Sequence, residues 1–303
     1  MSGIDSAAIR TTGLAKRYGN IQALAGLDMT IPRGSVFGFL GPNGAGKTTA
    51  VKLLLGLTSP TSGTAEILGR PIGERSSRRR VGYLPELFRY QGWLTAREVL
   101  ALHCELAGID RAGWTRDSED VLAIVGLSER GSTRVSTFSK GMQQRLGLGV
   151  ALLGDPELVL LDEPTSALDP VGRHDVREII RALKERGMTV FLNSHLLSEV
   201  EQVCDRVTIV DHGKVIAEGT LEELLRTDTV RIRATGLPRD TAAALSAFGA
   251  AAQEGEWLTV RAIDVERVPE LIAELVRMGG RVYAVEPKHE SLEDRFLRLL
   301  GDA

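Results

Sequence analysis

The strongest chemical signal is one uninterrupted stretch, Gly41-Pro42-Asn43-Gly44-Ala45-Gly46-Lys47-Thr48-Thr49. It fits the pattern G-x-x-x-x-G-K-[ST] in full. It also lies between an apolar strand-like run, Ser35–Leu40, and a helix expected from Lys47 to about Leu57, where that pattern has mechanical meaning. Glycines allow backbone N–H groups to wrap a phosphate without Cβ clashes. The start of the helix adds a favourable dipole. Lys47 is placed to reach the β- and γ-phosphates of a nucleotide, and the Thr48 hydroxyl to hold Mg²⁺. A second signal, Leu158-Val159-Leu160-Leu161-Asp162-Glu163, is an apolar strand ending in two carboxylates. Asp162 would hold the metal through water, and Glu163 would polarise an attacking water as general base. Two acids at a strand end often just face solvent. With the phosphate loop upstream, they imply nucleoside-triphosphate hydrolysis.

These residues need a scaffold that presents strand ends and helix starts along one edge, and the chain supplies it. Ile9–Leu14 and Leu24–Met29 alternate like strands, and Pro32-Arg33-Gly34 is a turn. Strand character returns around Gly63–Leu68. Thr95-Ala96-Arg97-Glu98 is a capping box opening a helix to about Ala107, and Trp93–Arg134 is helical overall. Strand Glu157–Asp162 leads to a helix from about Gly172 to Arg186. Strands Thr189–Asn193 and Arg206–Val210 follow, and Asp211-His212-Gly213-Lys214 is a hairpin turn into Val215–Glu218. Alternating strands and helices with short links indicate an α/β fold with a mainly parallel core sheet and antiparallel additions. Composition shifts near Thr220. Beyond it, strand Val230–Arg233, helix Arg239–Phe248, strand Glu256–Ala262, helix Val265–Met278, strand Arg281–Glu286 and a helix opened by Ser291-Leu292-Glu293-Asp294 suggest a small α+β domain. The expected boundaries are 1–224 for the main domain, with a helical subdomain at about 87–155, and 225–303 for the accessory one.

Four further segments narrow the class. Phe138-Ser139-Lys140-Gly141-Met142-Gln143-Gln144-Arg145 precedes the acidic strand, and a serine hydroxyl with a glycine N–H at a helix start forms an anion site. Ser166-Ala167-Leu168-Asp169 follows the acidic pair; His195 ends Phe191-Leu192-Asn193-Ser194-His195; Tyr18 sits in Lys16-Arg17-Tyr18-Gly19. Together with the phosphate loop and the acidic strand, these resemble, in order, the segments of the ABC (ATP-binding cassette) transporter ATPases, across roughly residues 9–220. The resemblance implies a P-loop NTPase cassette that binds ATP and Mg²⁺. It implies that Tyr18 stacks on adenine and that Ser139 and Gly141 bind the γ-phosphate held by an opposite subunit. Asp169 follows as part of the D-loop, and His195 is the switch that touches γ-phosphate and Glu163. It further implies a homodimer with ATP at its interface, beneath an integral-membrane permease at the cytoplasmic face of the cell membrane. Two departures stand out. The usual L-S-G-G-Q reads Phe138-Ser139-Lys140-Gly141-Met142, and the Q-loop glutamine is Glu86, which offers an oxygen to Mg²⁺ and adds negative charge. Both variants, and the tail Ser291–Phe296, resemble bacterial cassettes serving ABC-2-type exporters. By the same resemblance, the region of Leu87, Phe88, Tyr90, Trp93 and Leu94 receives the permease's coupling helix.

Composition bounds the alternatives. The formal net charge of the 303 residues is -3, which gives no drive toward nucleic acid or an anionic membrane. The basic cluster Arg78-Arg79-Arg80 is read as a surface turn. Cys104 and Cys204 form no CxxC and are expected to be buried thiols. The start of the chain lacks the pattern of a signal peptide. No apolar run approaches the ~20 residues of a membrane helix, so a membrane role needs another chain. An importer cassette and a soluble ABC ATPase with a non-membrane partner are the competing readings. The chain has one cassette, no heptad run and an acidic balance, which disfavour the soluble reading.

Overall fold

In the computed structural model the described residues are 7–166, 168–225, 229–238, 240–287 and 291–301. Ala167 of the D-loop segment, the expected helix start Arg239 and His289 lie outside them. The chain divides into two compact units, Met1–Leu221 with Phe296–Ala303, and Glu222–Arg295.

The first unit opens on a long antiparallel pair, β1 (Ala7–Tyr18) and β2 (Ile21–Pro32), followed by β3 (Val36–Leu40) and α1 (Lys47–Leu54). α1 ends earlier than expected, because Gly56 takes a left-handed φ of 65° that stops the helix. Next come β4 (Ser62–Ile67), β5 (Arg70–Pro71) and β6 (Val81–Leu84). The helical stretch is α2 (Ala96–Ala107), α3 (Trp114–Ile124) and α4 (Lys140–Leu152), joined by 3₁₀ turns. The capping box is present at α2: Thr95 accepts from the Glu98 N–H while the Glu98 carboxylate accepts from Thr95. Then follow β7 (Leu158–Asp162), α5 (Pro170–Glu185), β8 (Thr189–Ser194), α6 (Leu197–Val203), β9 (Arg206–Asp211) and β10 (Lys214–Thr220), and α7 (Leu221–Leu225) starts at the boundary, with Glu222 onward in the second unit.

Two sheets organise these elements. One is antiparallel, in the order β2-β1-β4-β5. The other runs β10-β9-β3-β8-β7-β6, parallel throughout except for the edge strand β10. Strands β3, β7 and β8 are buried along their whole length, which explains why they read as continuous apolar runs rather than alternating ones. Phe37, Phe39 and Phe191 stack across β3 and β8 and join Leu53, Leu54, Leu158 and Leu160 in the core beneath α1. Strands β3, β7 and β8 thus end side by side, and the phosphate loop, the acidic pair and His195 leave from those ends.

The second unit contains β11 (Thr229–Thr235), α8 (Thr241–Ala244), β12 (Ala250–Glu254), β13 (Trp257–Arg261), α9 (Val268–Arg277) and β14 (Arg281–Pro287), and α10 (Leu292–Gly301) ends the chain. Its sheet is antiparallel in the order β12-β13-β11-β14, over its own core of Ile232, Leu258, Val260, Leu271 and Leu275. One expectation needs correction here: the helix expected to Phe248 stops at Ala244, and it is followed by a strand, Ala250–Glu254, that has no place in the expected order. Pairing with β13 across a Gly255 turn at φ 62° overrides the helix preference of Ala250-Ala251-Ala252.

Cys104 and Cys204 are both buried free thiols. Arg78 donates to the Leu55 carbonyl at 2.9 Å, and Arg80 pairs with Glu157 at 2.8 Å while staying exposed, as Arg79 does. Among the described residues no helix is long and apolar enough to cross a membrane.

Candidate functional site

The loop after β3 is shaped by steric demand. A Cβ at Gly41 would lie 2.2 Å from the Val210 carbonyl oxygen, and one at Gly46 would lie 2.3 Å from that of Ala23. Gly46 also caps α1 with a left-handed φ of 101°, which a side chain rarely tolerates. The hairpin between β9 and β10 braces the loop: Gly213 donates to the Ala45 carbonyl at 3.0 Å and accepts from the Ala25 N–H at 2.8 Å. Pro42 accepts from the Ala45 N–H at 3.2 Å. Lys47 Nζ turns back into the loop, donating to the carbonyls of Gly41 at 2.7 Å and Pro42 at 3.1 Å. Burial pulls its ammonium below the usual lysine range, against Glu163, Asp162 and Glu86, which push it up.

A cleft of about 370 Å³ opens here. It brings together Asn43, Gly44, Gly46, Lys47, Thr48 and Thr49 of the loop with Glu86, Asp162, Glu163 and His195. Ile21–Ala23 of β2 supply a further wall. Tyr18 is not part of that lining. It pairs with Ile21 across the β1–β2 turn, is 45% exposed, and carries the Lys16 ammonium 4.9 Å from its ring centroid.

The carboxylates are held differently. Glu163 is nearly buried and its backbone sits in the left-handed region at φ 52°, a conformation costing about 1–2 kcal/mol for a non-glycine residue. Its N–H donates to the Asn193 carbonyl at 2.9 Å, and His195 Nδ1 lies 2.8 Å from its Oε2. A carboxylate only accepts, so the ring donates in this contact. Asp162 receives the Asn193 amide at 2.5 Å. Burial raises its pKa and Asn193 counters; the nearby Glu86 and Glu163 raise it further, while Lys47 lowers it. Tyr83 on β6 faces the same carboxylate, and burial together with that charge pushes its hydroxyl up to about 12. Asn193 and Tyr83 were not singled out from the sequence. The available signal at Asn193 was a lone amide directly after the run Thr189–Leu192, two residues before His195.

Ser139, Gly141 and Asp169 fall elsewhere in this chain. They line a separate depression of about 420 Å³ with Lys140, Met142 and Arg145. Ser139 caps α4 by accepting from the Met142 N–H at 3.2 Å, and its neighbour Phe138 is buried, which explains an aromatic in place of leucine. Asp169 caps α5, accepting from the Gly172 N–H at 2.8 Å. One chain therefore presents two separate depressions rather than one closed pocket.

Several donors in the cleft suit a hard cation: the Thr48 hydroxyl and the Glu86 and Asp162 carboxylates, in surplus negative charge. No group of three or more His, Cys, Asp or Glu side chains among the described residues is arranged to hold a metal unaided.

Comparison with known proteins points the same way. The family described as ABC transporter matches residues 24–166. An uncharacterized ABC transporter ATP-binding protein of Nostoc sp. is 39% identical over 280 residues, covering 91% of this chain and 83% of that protein. The bacitracin transport ATP-binding protein of Bacillus licheniformis is 43% identical over 222 residues, or 72% of each chain. The Nod factor export ATP-binding protein I of Rhizobium sp. is 35% identical over 302 residues, or 97% of each. A solved structure of an ATP binding subunit of an ABC transporter superposes with a TM-score of 0.65 at 32% identity, over 72% of this chain and 92% of that one.

Proposed function

The chain belongs to the ATP-binding proteins of ABC transporters, ATPases coupled to transport, and from that membership we propose that it powers a separate permease of the ABC-2 exporter type. The relative named for Nod factor export supports the export direction, as do Glu86 and the Ser139-Lys140-Gly141-Met142 variant. The observation that carries the reading is the Glu163–His195 contact of 2.8 Å at the rim of a cleft floored by Lys47.

The residues then take these roles. The backbone from Gly41 to Gly46, including Pro42, Asn43, Gly44 and Ala45, wraps the β-phosphate of ATP, with Thr49 in the first turn beyond. Lys47 exchanges its two carbonyl partners for phosphate oxygens. Mg²⁺, when bound, neutralises phosphate charge, and Thr48, Asp162 and Glu86 are the residues that would hold it. Glu163 takes a proton from the attacking water, while His195 fixes the carboxylate's orientation and meets the γ-phosphate. Tyr18 stacks on adenine, for which its exposed ring has to release Lys16. Ser139 and Gly141 close on the γ-phosphate held by a second copy, with Asp169 beside them, so two chains complete two sites. The dimer sits under the permease at the cytoplasmic face of the membrane.

A direct test is detergent co-purification of tagged Glu163→Gln from its native membranes, read by mass spectrometry. A stoichiometric polytopic membrane protein is the expected companion. Only soluble or ribosomal companions would overturn the transporter role.

A further inference from the structure

Asp162 and Asn193 are register partners at the ends of β7 and β8. Neighbours in register on parallel strands point to the same side of the sheet, so the two side chains meet. Asn193 contacts both acidic residues of the site, one through its side chain and the other through its main chain. Its side-chain amide donates to Asp162 Oδ1, and its main-chain carbonyl accepts from the N–H of Glu163. The residue is 1% exposed, and its Oδ1 is a buried acceptor with no hydrogen-bond partner among the described residues. Leaving such an atom unpaired costs free energy, which a water brought in by a cation would relieve.

We propose that Asn193 is a positioning residue for the divalent metal: its amide fixes one oxygen of Asp162 so that the other faces the cleft, and its own oxygen accepts from a metal-bound water. The inference rests on the ATP–Mg²⁺ reading above. Partners of metal ligands typically change metal affinity by ~10–100-fold when removed.

The test uses the full chain and two titrations. Mn²⁺ uptake with a non-hydrolysable ATP analogue is followed by electron paramagnetic resonance, and binding of a fluorescent ATP analogue is followed in EDTA. Asn193→Leu is nearly isosteric and removes both donor and acceptor. It is expected to weaken Mn²⁺ uptake by at least ~10-fold while metal-free nucleotide binding stays within about twofold. Asn193→Ser keeps a donor and leaves room for water, and should recover most of the loss. Should the leucine variant not fold, Asn193→Ala is compared with Asn193→Ser in the same titrations. Unchanged Mn²⁺ uptake overturns the inference, and so does a parallel fall in both titrations, which marks a purely structural role. Failure of the wild-type chain to take up Mn²⁺ with nucleotide would instead strike the ATP reading itself.

Discussion

Glu163 shows how much of the chemistry resides in single residues. Its left-handed backbone, its N–H on the Asn193 carbonyl and its contact with His195 fix the carboxylate in one orientation. In the general-base role proposed for it, such a residue contributes typically ~10²–10⁴-fold. Glu163→Gln keeps the shape and removes the basicity. ATP turnover should fall by that factor while ATP binding survives, and light scattering with ATP–Mg²⁺ should show a dimer. A monomer under those conditions would count against the shared-site arrangement. Lys47→Ala acts one step earlier. Charge-assisted contacts are worth ~1.5–3 kcal/mol, so nucleotide binding by equilibrium dialysis should weaken by ~10-fold or more. Most residues of the site could be named from the sequence, since Lys47, Thr48, Asp162, Glu163 and His195 each sit at a diagnostic spacing from the end of an apolar strand. Asn193 and Tyr83 could not. Their role depends on which strands are neighbours, and strand order is a long-range property that local pattern does not carry.

Elements decide where these residues are delivered. The loops that leave β3, β7 and β8 meet because the strands are parallel neighbours. The α4 start carrying Ser139 lies in its own depression because α4 packs with α2 and α3 rather than on the phosphate loop. The α4 cap therefore has two expected effects that can be separated. Ser139→Ala should cost about 1 kcal/mol of stability as a lost cap, seen in thermal unfolding. It should also reduce ATPase activity while leaving nucleotide binding by the monomer unchanged, if the hydroxyl acts, as proposed, on a phosphate held by a second copy. Equal loss of monomer binding would place Ser139 in its own chain's site instead. The segment after Glu86 divides similarly. Phe88 packs on Gly147 of α4, and Tyr90 meets the His103 ring edge-on at 5.5 Å, so both serve the helical layer. Leu87 and Trp93 are 87% and 73% exposed. Trp93→Asp should leave stability within ~0.5 kcal/mol and basal ATPase intact, while transport in reconstituted vesicles falls. Joint loss of both activities would make Trp93 a structural residue. The aromatic richness of this stretch was legible in the sequence. Which rings face solvent was not, because that depends on where α2 and α4 lie.

At the scale of the molecule, the nucleotide chemistry is confined to the first unit, whereas Glu222–Arg295 brings a separate core and none of the cleft residues. The expected boundary near residue 225 came from a change in composition and periodicity. The interior of the second unit was less legible, because β12 is an alanine-rich strand held by its partner rather than by its own preference. A unit with its own buried Ile232, Leu258, Val260, Leu271 and Leu275 does not need the cassette to form a core, and the cassette has the larger core beneath α1. A chain ending at Leu225 should therefore unfold cooperatively and bind ATP within about twofold of the full chain. The accessory unit carries no catalytic motif, and the role proposed for it is regulatory or dimer-stabilising. In the Glu163→Gln background, the truncated chain should then need a higher protein concentration to dimerise with ATP–Mg²⁺ than the full chain does, by light scattering across a dilution series. Identical dilution curves and identical ATPase rates would remove that role, leaving the second unit with no part in the nucleotide cycle. Loss of ATP binding together with dimerisation would show instead that the C-terminal residues Phe296–Ala303, which group with the first unit and are deleted by the same cut, are needed for the cassette to fold. A second chain that lacks only those residues separates the two causes, because it keeps the accessory core while removing the segment that returns to the cassette.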